Sequence, residues 1–194
     1  MAETLQPGSI GESTDPRSLR SRHMLMESLA KLLIRKEFDD ISIQEIADEA
    51  TLNRATFYLH YPDKHALLRA MTAARFRDLI ARRGLSFTNC EGALRAIALG
   101  VCDYLAESTG CPGQLAKMPL EGSIIPVVEG MFLEGAANHA MAPGADPRLL
   151  ATTAAWAIFG AARLWHQTPD RIPAEEMAAK IEVMVKPIFL SASV

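Results

Sequence analysis

The chain is expected to fold as an all-α protein, with a small N-terminal three-helix unit followed by a larger helical body. Three observations predict this. Ala, Leu, Met, Glu and Arg are abundant in a sequence of 194 residues that is 49% hydrophobic, and these residues favour helix. Apolar residues recur at helical spacing, and no long run alternates Val, Ile and Thr at period two. Helix start signals stand ahead of several of these periodic segments.

The elements follow in order. Residues 1–16 mix Gly, Ser, Thr and Pro with little periodicity and read as a disordered tail. A helix is expected from Arg17 to Lys36, with Leu25, Leu29, Leu32 and Leu33 on one face and Arg17, Arg20 and Arg22 in its first turns. Cations there oppose the helix macrodipole, which suggests either an external anion or plain solvation. Ser42-Ile43-Gln44-Glu45 has the form of a capping box and starts a helix to Ala50 that buries Ile43, Ile46, Ala47 and Ala50. After a turn at Thr51 and Leu52, a second short helix runs from Asn53 to His60. Pro62-Asp63 ends it and caps a connecting helix to Arg83. Beyond Gly84, helices are placed at Glu91–Ser108, Leu120–Ala142, Asp146–Gln167 and Pro173–Leu190. Asp146-Pro147 is a clean start, and Pro126 and Pro187 are expected to kink or end their helices. The domain boundaries are thus 1–16, 17–62, 63–83 and 84–194.

Two short helices joined by a tight turn, behind a longer supporting helix, make a helix-turn-helix. The second carries Asn53, Arg54, Thr56, Tyr58 and His60, a polar and aromatic surface suited to the major groove of DNA. Phe57 and Leu59 are assigned to the core. Charge agrees with this division. The chain is −3 in all, yet residues 17–83 hold 13 Lys and Arg against 9 Asp and Glu, while residues 84–194 hold 7 against 11. A basic head on an acidic body is a footprint of nucleic-acid binding.

The segment from Phe38 to Leu68 resembles the TetR family of regulators. The matching features are Phe38-Asp39-Asp40-Ile41-Ser42, Ile46-Ala47, Ala50, Thr56-Phe57-Tyr58-Leu59-His60-Tyr61, Asp63-Lys64 and Leu67-Leu68. Ala55 departs from the family's frequent Gly. The resemblance implies a dimeric, sequence-specific DNA-binding regulator, and the bulky apolar side chains of the body add the expectation of a repressor released from its operator by a small hydrophobic molecule. It also implies that Tyr58 and His60 touch the DNA backbone. The chemistry adds Ser42 and Lys64 as phosphate contacts, and Asn53, Arg54 and Thr56 as candidates for base edges.

In the body, Ala154, Ala157 and Ala161 form a small-residue face, and Met177, Ile181, Met184 and Ile188 form a seam. Two such helices per subunit would build a four-helix dimer interface, as the resemblance implies; internal packing is the alternative. Tyr104, Met131, Phe132, Trp156 and Phe159, with Trp165 beside them, are the candidate walls of an apolar effector pocket, although plain core is the better reading for any one of them alone. Arg163 and His139 could orient a polar group of the ligand.

Other classes fit less well. No nucleophile–base pair, acid pair or Gly-rich phosphate loop has workable spacing, so an enzyme is not expected. Cys90, Cys102 and Cys111 form no CxxC pair, and neither a metal nor a cofactor is expected. No apolar run is long enough for a membrane span, and no signal-peptide pattern opens the sequence, so a cytoplasmic location is expected. The rival within the same fold is an architectural or cell-division DNA binder that needs no small effector.

Overall fold

The computed structural model describes residues 15–84, 90–110, 120–137 and 146–190. Among these residues there are eight α-helices and no strand, as the composition predicts. They are α1 (Pro16–Arg35), α2 (Ile43–Glu49), α3 (Arg54–His60), α4 (Lys64–Arg82), α5 (Cys90–Gly110), α6 (Leu120–Ala137), α7 (Pro147–Gln167) and α8 (Ala174–Leu190), with a 3₁₀ turn at Phe38–Asp40. The tail before residue 15, His139, Cys111 and the expected extension of α6 to Ala142 lie outside the described residues.

Local signals set most helix starts. Asp15, Asn53, Asp63 and Asp146 each accept hydrogen bonds from first-turn amides, which satisfies donors that have no partner inside the helix. Asp15 and Pro16 therefore belong to the start of α1 rather than to the tail. Pro126 and Pro187 both lie inside helices that continue past them, so neither ends its helix. Proline removes one N–H and crowds one carbonyl, and tertiary packing can outweigh that cost. At the turn between α2 and α3, Thr51 takes a positive φ of 54°.

Helices α1–α3 pack together, α1 also touches α4, and α4 runs on against α5 and α6. Helices α5–α8 form the body, where α7 contacts α5, α6 and α8. One apolar cluster runs from Leu25, Leu29 and Phe57 in the head, through Phe76 and Ile80 of α4, to Ile158 and Ile181 in the body. Gly100 of α5 sits where a Cβ would come within 2.8 Å of the Phe76 ring. That close approach lets α4 and α5 pack tightly.

Both ends of α4 are tied to their surroundings. At its C-terminal end Arg83 pairs with Asp103 of α5, at 2.6 and 2.8 Å, and with Glu175 of α8. About two turns earlier, Arg75 pairs with Glu107 of α5 at 2.5 Å. Its N-terminal end is tied through Lys64, described below.

Candidate nucleic-acid interface

The recognition helix α3 is seven residues long, too short to be stable alone, and tertiary contacts must hold it. Phe57 is fully buried against the head, and Tyr61 follows it into the core. Arg54, Ala55, Tyr58 and Leu59 lie on the opposite face and are exposed. Leu59 is 80% exposed, which corrects its assignment to the core. Phe57 and Leu59 are two residues apart, about 200° around the helix, so they cannot share a face. That spacing was the available signal for Leu59.

Arg54 and Tyr58 stand one turn apart. The guanidinium donates to the Tyr58 hydroxyl at 3.1 Å and lies 5.5 Å from the ring centre. The pair forms a planar, polar projection on a helix with few other contacts. His60 is half-buried, and burial together with the nearby Arg22 charge lowers its pKa below the usual 6.5. It is therefore neutral near pH 7, able to donate a hydrogen bond but not a full positive charge.

Three of the residues expected to touch DNA are occupied within the protein. The Asn53 carbonyl oxygen accepts from the Thr56 amide at 2.7 Å and from the Thr56 hydroxyl at 2.9 Å. Both lone pairs of that oxygen are thereby used, so the two-pronged contact that Asn makes with adenine is blocked while the cap holds. Thr56 keeps its methyl group as its outward resource. Ser42 closes the expected capping box. Its hydroxyl accepts from the Glu45 amide at 3.2 Å, and its hydroxyl and amide both donate to the Glu45 carboxylate at 2.9 Å. Lys36 pairs with the same carboxylate; together with the Ser42 bonds it lowers the Glu45 pKa to about 2. Ser42 thus serves as the N-cap of α2, with an ionised carboxylate beside its hydroxyl at neutral pH.

Lys64 is likewise engaged within the head. Its ammonium donates to the carbonyls of Phe38 at 3.0 Å, Asp39 at 2.9 Å and Ile41 at 2.9 Å. It also lies 4.9 Å from the centre of the Phe38 ring. All three of its N–H groups are spent inside the head, leaving none for a phosphate.

The residues expected to wall an effector pocket separate into two groups. Tyr104 and Phe159 are buried, and Met131 and Phe132 are partly buried against the same core. Phe132 packs on Phe189 of α8 at 5.1 Å between ring centres. Trp156 does not join them. It is 52% exposed, because Ala155, Ile158, Phe159 and Ala162 already occupy the core side of α7. Trp165 is buried, with its indole N–H donating to the Ile172 carbonyl at 2.7 Å, and Arg163 pairs with Glu121. Cys102 is buried and its thiol is pushed up to about 12, so it is unreactive at neutral pH.

The expected dimer stripes also divide. Ala154 and Ile181 are buried within the subunit. The outer face carries Leu149, Trp156 and Leu164 on α7, and Val183 and Met184 on α8, all more than half exposed. No helix among the described residues is long and apolar enough to cross a membrane.

Comparison with known proteins bears on the whole arrangement. Residues 25–71 match the family described as bacterial regulatory proteins, tetR family. Over 173 residues the chain is 26% identical to the HTH-type transcriptional regulator EthR of Mycolicibacterium smegmatis, covering 87% of this chain and 72% of that protein. A 48-residue stretch is 38% identical to the HTH-type regulator YuxN of Bacillus subtilis, covering 25% of this chain but only 16% of YuxN. The fold resembles that of a TetR-family regulator from Streptomyces coelicolor A3, with a TM-score of 0.64 at 16% identity, over 92% of this chain and 99% of that one. The matched segment runs from the core residues of α1 through the helix-turn-helix into α4, and the likeness of fold extends across the body as well. Residues 25–71 are thus the helix-turn-helix segment described for bacterial regulatory proteins of the tetR family, set in a chain whose fold is similar to that of a TetR-family regulator.

Proposed function

We propose that the protein is a repressor that binds a two-fold symmetric operator as a homodimer and leaves it when a small apolar molecule enters the body. The observation that carries the DNA-binding part is the face of α3. Arg54, Ala55, Tyr58 and Leu59 project from a short helix that Phe57 anchors and Asn53 caps. Such a helix fits the major groove. Arg54 supplies a fork for guanine, the Thr56 methyl and Leu59 supply apolar contact for thymine methyl groups, and Tyr58 and His60 donate to the backbone. Asn53 and Ser42 hold the geometry.

One short recognition helix reads few bases, so a pair is needed. The exposed apolar residues of α7 and α8 supply the surface for a four-helix contact between subunits. Two recognition helices would then lie about 35 Å apart, or a multiple of it, along a near-palindrome.

Release would act through α4. The Tyr104 hydroxyl of α5 lies 3.5 Å from the Thr72 hydroxyl of α4, at a buried junction between the body and the helix that carries the head. A ligand bedded among Tyr104, Met131, Phe132 and Phe159 would disturb that junction and tilt α4. It acts only if it prefers the tilted state, and coupling of about 1–3 kcal/mol would suffice to change occupancy. The close burial of Tyr104 and Phe159 favours a second reading, a DNA binder on the same fold with no effector. The cleft of about 380 Å³ beside Arg82, Arg83, Asp103 and Glu107 is lined by none of the expected pocket residues.

Selection of duplexes from a random library, followed by footprinting, tests the first part. Enrichment of a palindrome protected on two half-sites is the expected result, and no enrichment refutes operator binding. A screen of small apolar molecules for release of the selected duplex separates the two readings.

A further inference from the structure

We propose that Lys64 is a positioning residue that locks the start of α4 to the turn ahead of α2, so that the DNA-reading head follows α4 as one body. The proposal rests on the DNA-binding reading above and assigns Lys64 a role other than phosphate contact. The ammonium reaches 23 to 26 residues back along the chain to three carbonyls within Phe38–Ile41. Those carbonyls belong to the 3₁₀ turn and its exit, and the Phe38 carbonyl also accepts the Ile41 amide that closes the turn. One tetrahedral cation with three donors converges on them in a way no neutral side chain can reproduce.

The same corner is closed from two further sides. The buried Phe38 ring lies under the ammonium at 4.9 Å and meets the His65 ring edge-on at 5.1 Å. Ile41, whose carbonyl is held, is itself buried, and Ser42 directly after it caps α2. A displacement of the start of α4 is thus passed through Lys64 to the turn, then to α2, and through α2 to the recognition helix packed on it. The far end of α4 is held to the body by Arg83. A helix fastened at both ends transmits a tilt instead of absorbing it at the junction near residue 62. Without the Lys64 lock, only the apolar packing of α1 on α4 would hold the head, and the two recognition helices of a dimer would keep their spacing less tightly.

A duplex selected by the wild-type protein serves as the probe. Lys64→Arg and Lys64→Gln are compared with wild type for affinity and for the dependence of affinity on salt. Arg keeps the charge, but its planar fork cannot place three N–H groups around one point. The expected result is a five- to thirty-fold loss of affinity for both variants, with the salt slope unchanged. A slope reduced by about 0.9 in Lys64→Gln, with Lys64→Arg close to wild type, would mean a phosphate contact and overturns the proposal. Unchanged affinity in both variants also overturns it, since the lock would then be structural only.

Should either variant fail to fold, reductive methylation of the wild-type chain decides. Lys64 should resist modification both free and bound to the duplex, while Lys31 reacts. Protection of Lys64 that arises only on DNA binding refutes the lock. If the wild-type chain selects no duplex, the DNA-binding reading itself falls and this role with it. That outcome is distinct from every failure confined to Lys64.

Discussion

Asn53→Ala offers a direct test of whether the start of the recognition helix is held by a cap or spends its first side chain on bases. In the structure the Asn53 oxygen accepts from the Thr56 amide and from its hydroxyl. Replacing an Asn cap with Ala costs about 0.5–2 kcal/mol, most of it from the amide left without a partner. The Thr56 hydroxyl is exposed enough to turn to water, so its lost bond adds little. The helix has only seven residues, and a missing cap is felt along its whole length. The expected loss is thus about 1 kcal/mol of unfolding free energy, a factor of about five in the folded-to-unfolded ratio. Urea unfolding followed by circular dichroism measures it. Asn53→Ser is the decisive companion, because Ser caps as well as Asn but cannot form the paired contact with adenine. It should restore stability and leave the operator's base preferences intact. The reasoning fails if Asn53→Ser is as unstable as Asn53→Ala. It also fails if the Ser variant is stable but loses preference at one base pair by about 1–3 kcal/mol, which would return Asn53 to base reading.

Further outcomes are expected elsewhere in the chain. Gly100→Ala should destabilise by about 1–2 kcal/mol, because the added carbon meets the fully buried Phe76 ring at 2.8 Å and overpacking outweighs the gain in helix propensity; a rise in the urea midpoint would contradict this. Glu45 has a depressed pKa, so its contribution is present above its ordinary value near 4.5 and is lost as pH falls toward about 2. Glu45→Gln should accordingly be less stable than wild type at pH 7, with the difference closing across that acid window; a gap that persists at pH 2 would show that the charge is not its source. Val183→Lys with Met184→Lys should give a folded monomer by light scattering, since both side chains are exposed and neither supports the subunit's own core. A persistent dimer would remove α8 from the proposed interface.

The helix starts and the class of the head were legible in the order of residues alone. The capping box at Ser42, the Asp63 cap and the Asp146-Pro147 start act within four residues, and the structure forms each of them. Burial of Leu25, Leu29, Leu32 and Leu33 along α1 was legible for the same reason, because helical periodicity is a local property of the chain. What a polar group does with its remaining donors was not legible. Lys64 looks like a phosphate ligand until the chain folds back and sets three carbonyls from residues 38–41 around it. Asn53 looks like a base reader until its oxygen is seen to be saturated by Thr56. The same limit applies to Trp156, whose outward position on α7 follows from which neighbours won the core. An apolar residue can serve a pocket, a core or an interface with equal chemistry, and only the packing of α5, α6 and α8 against α7 chooses among them. Local hydrogen-bond geometry is encoded in short stretches of residues, whereas the partner of a long side chain is decided by which distant backbone the tertiary fold brings within about 3 Å of it.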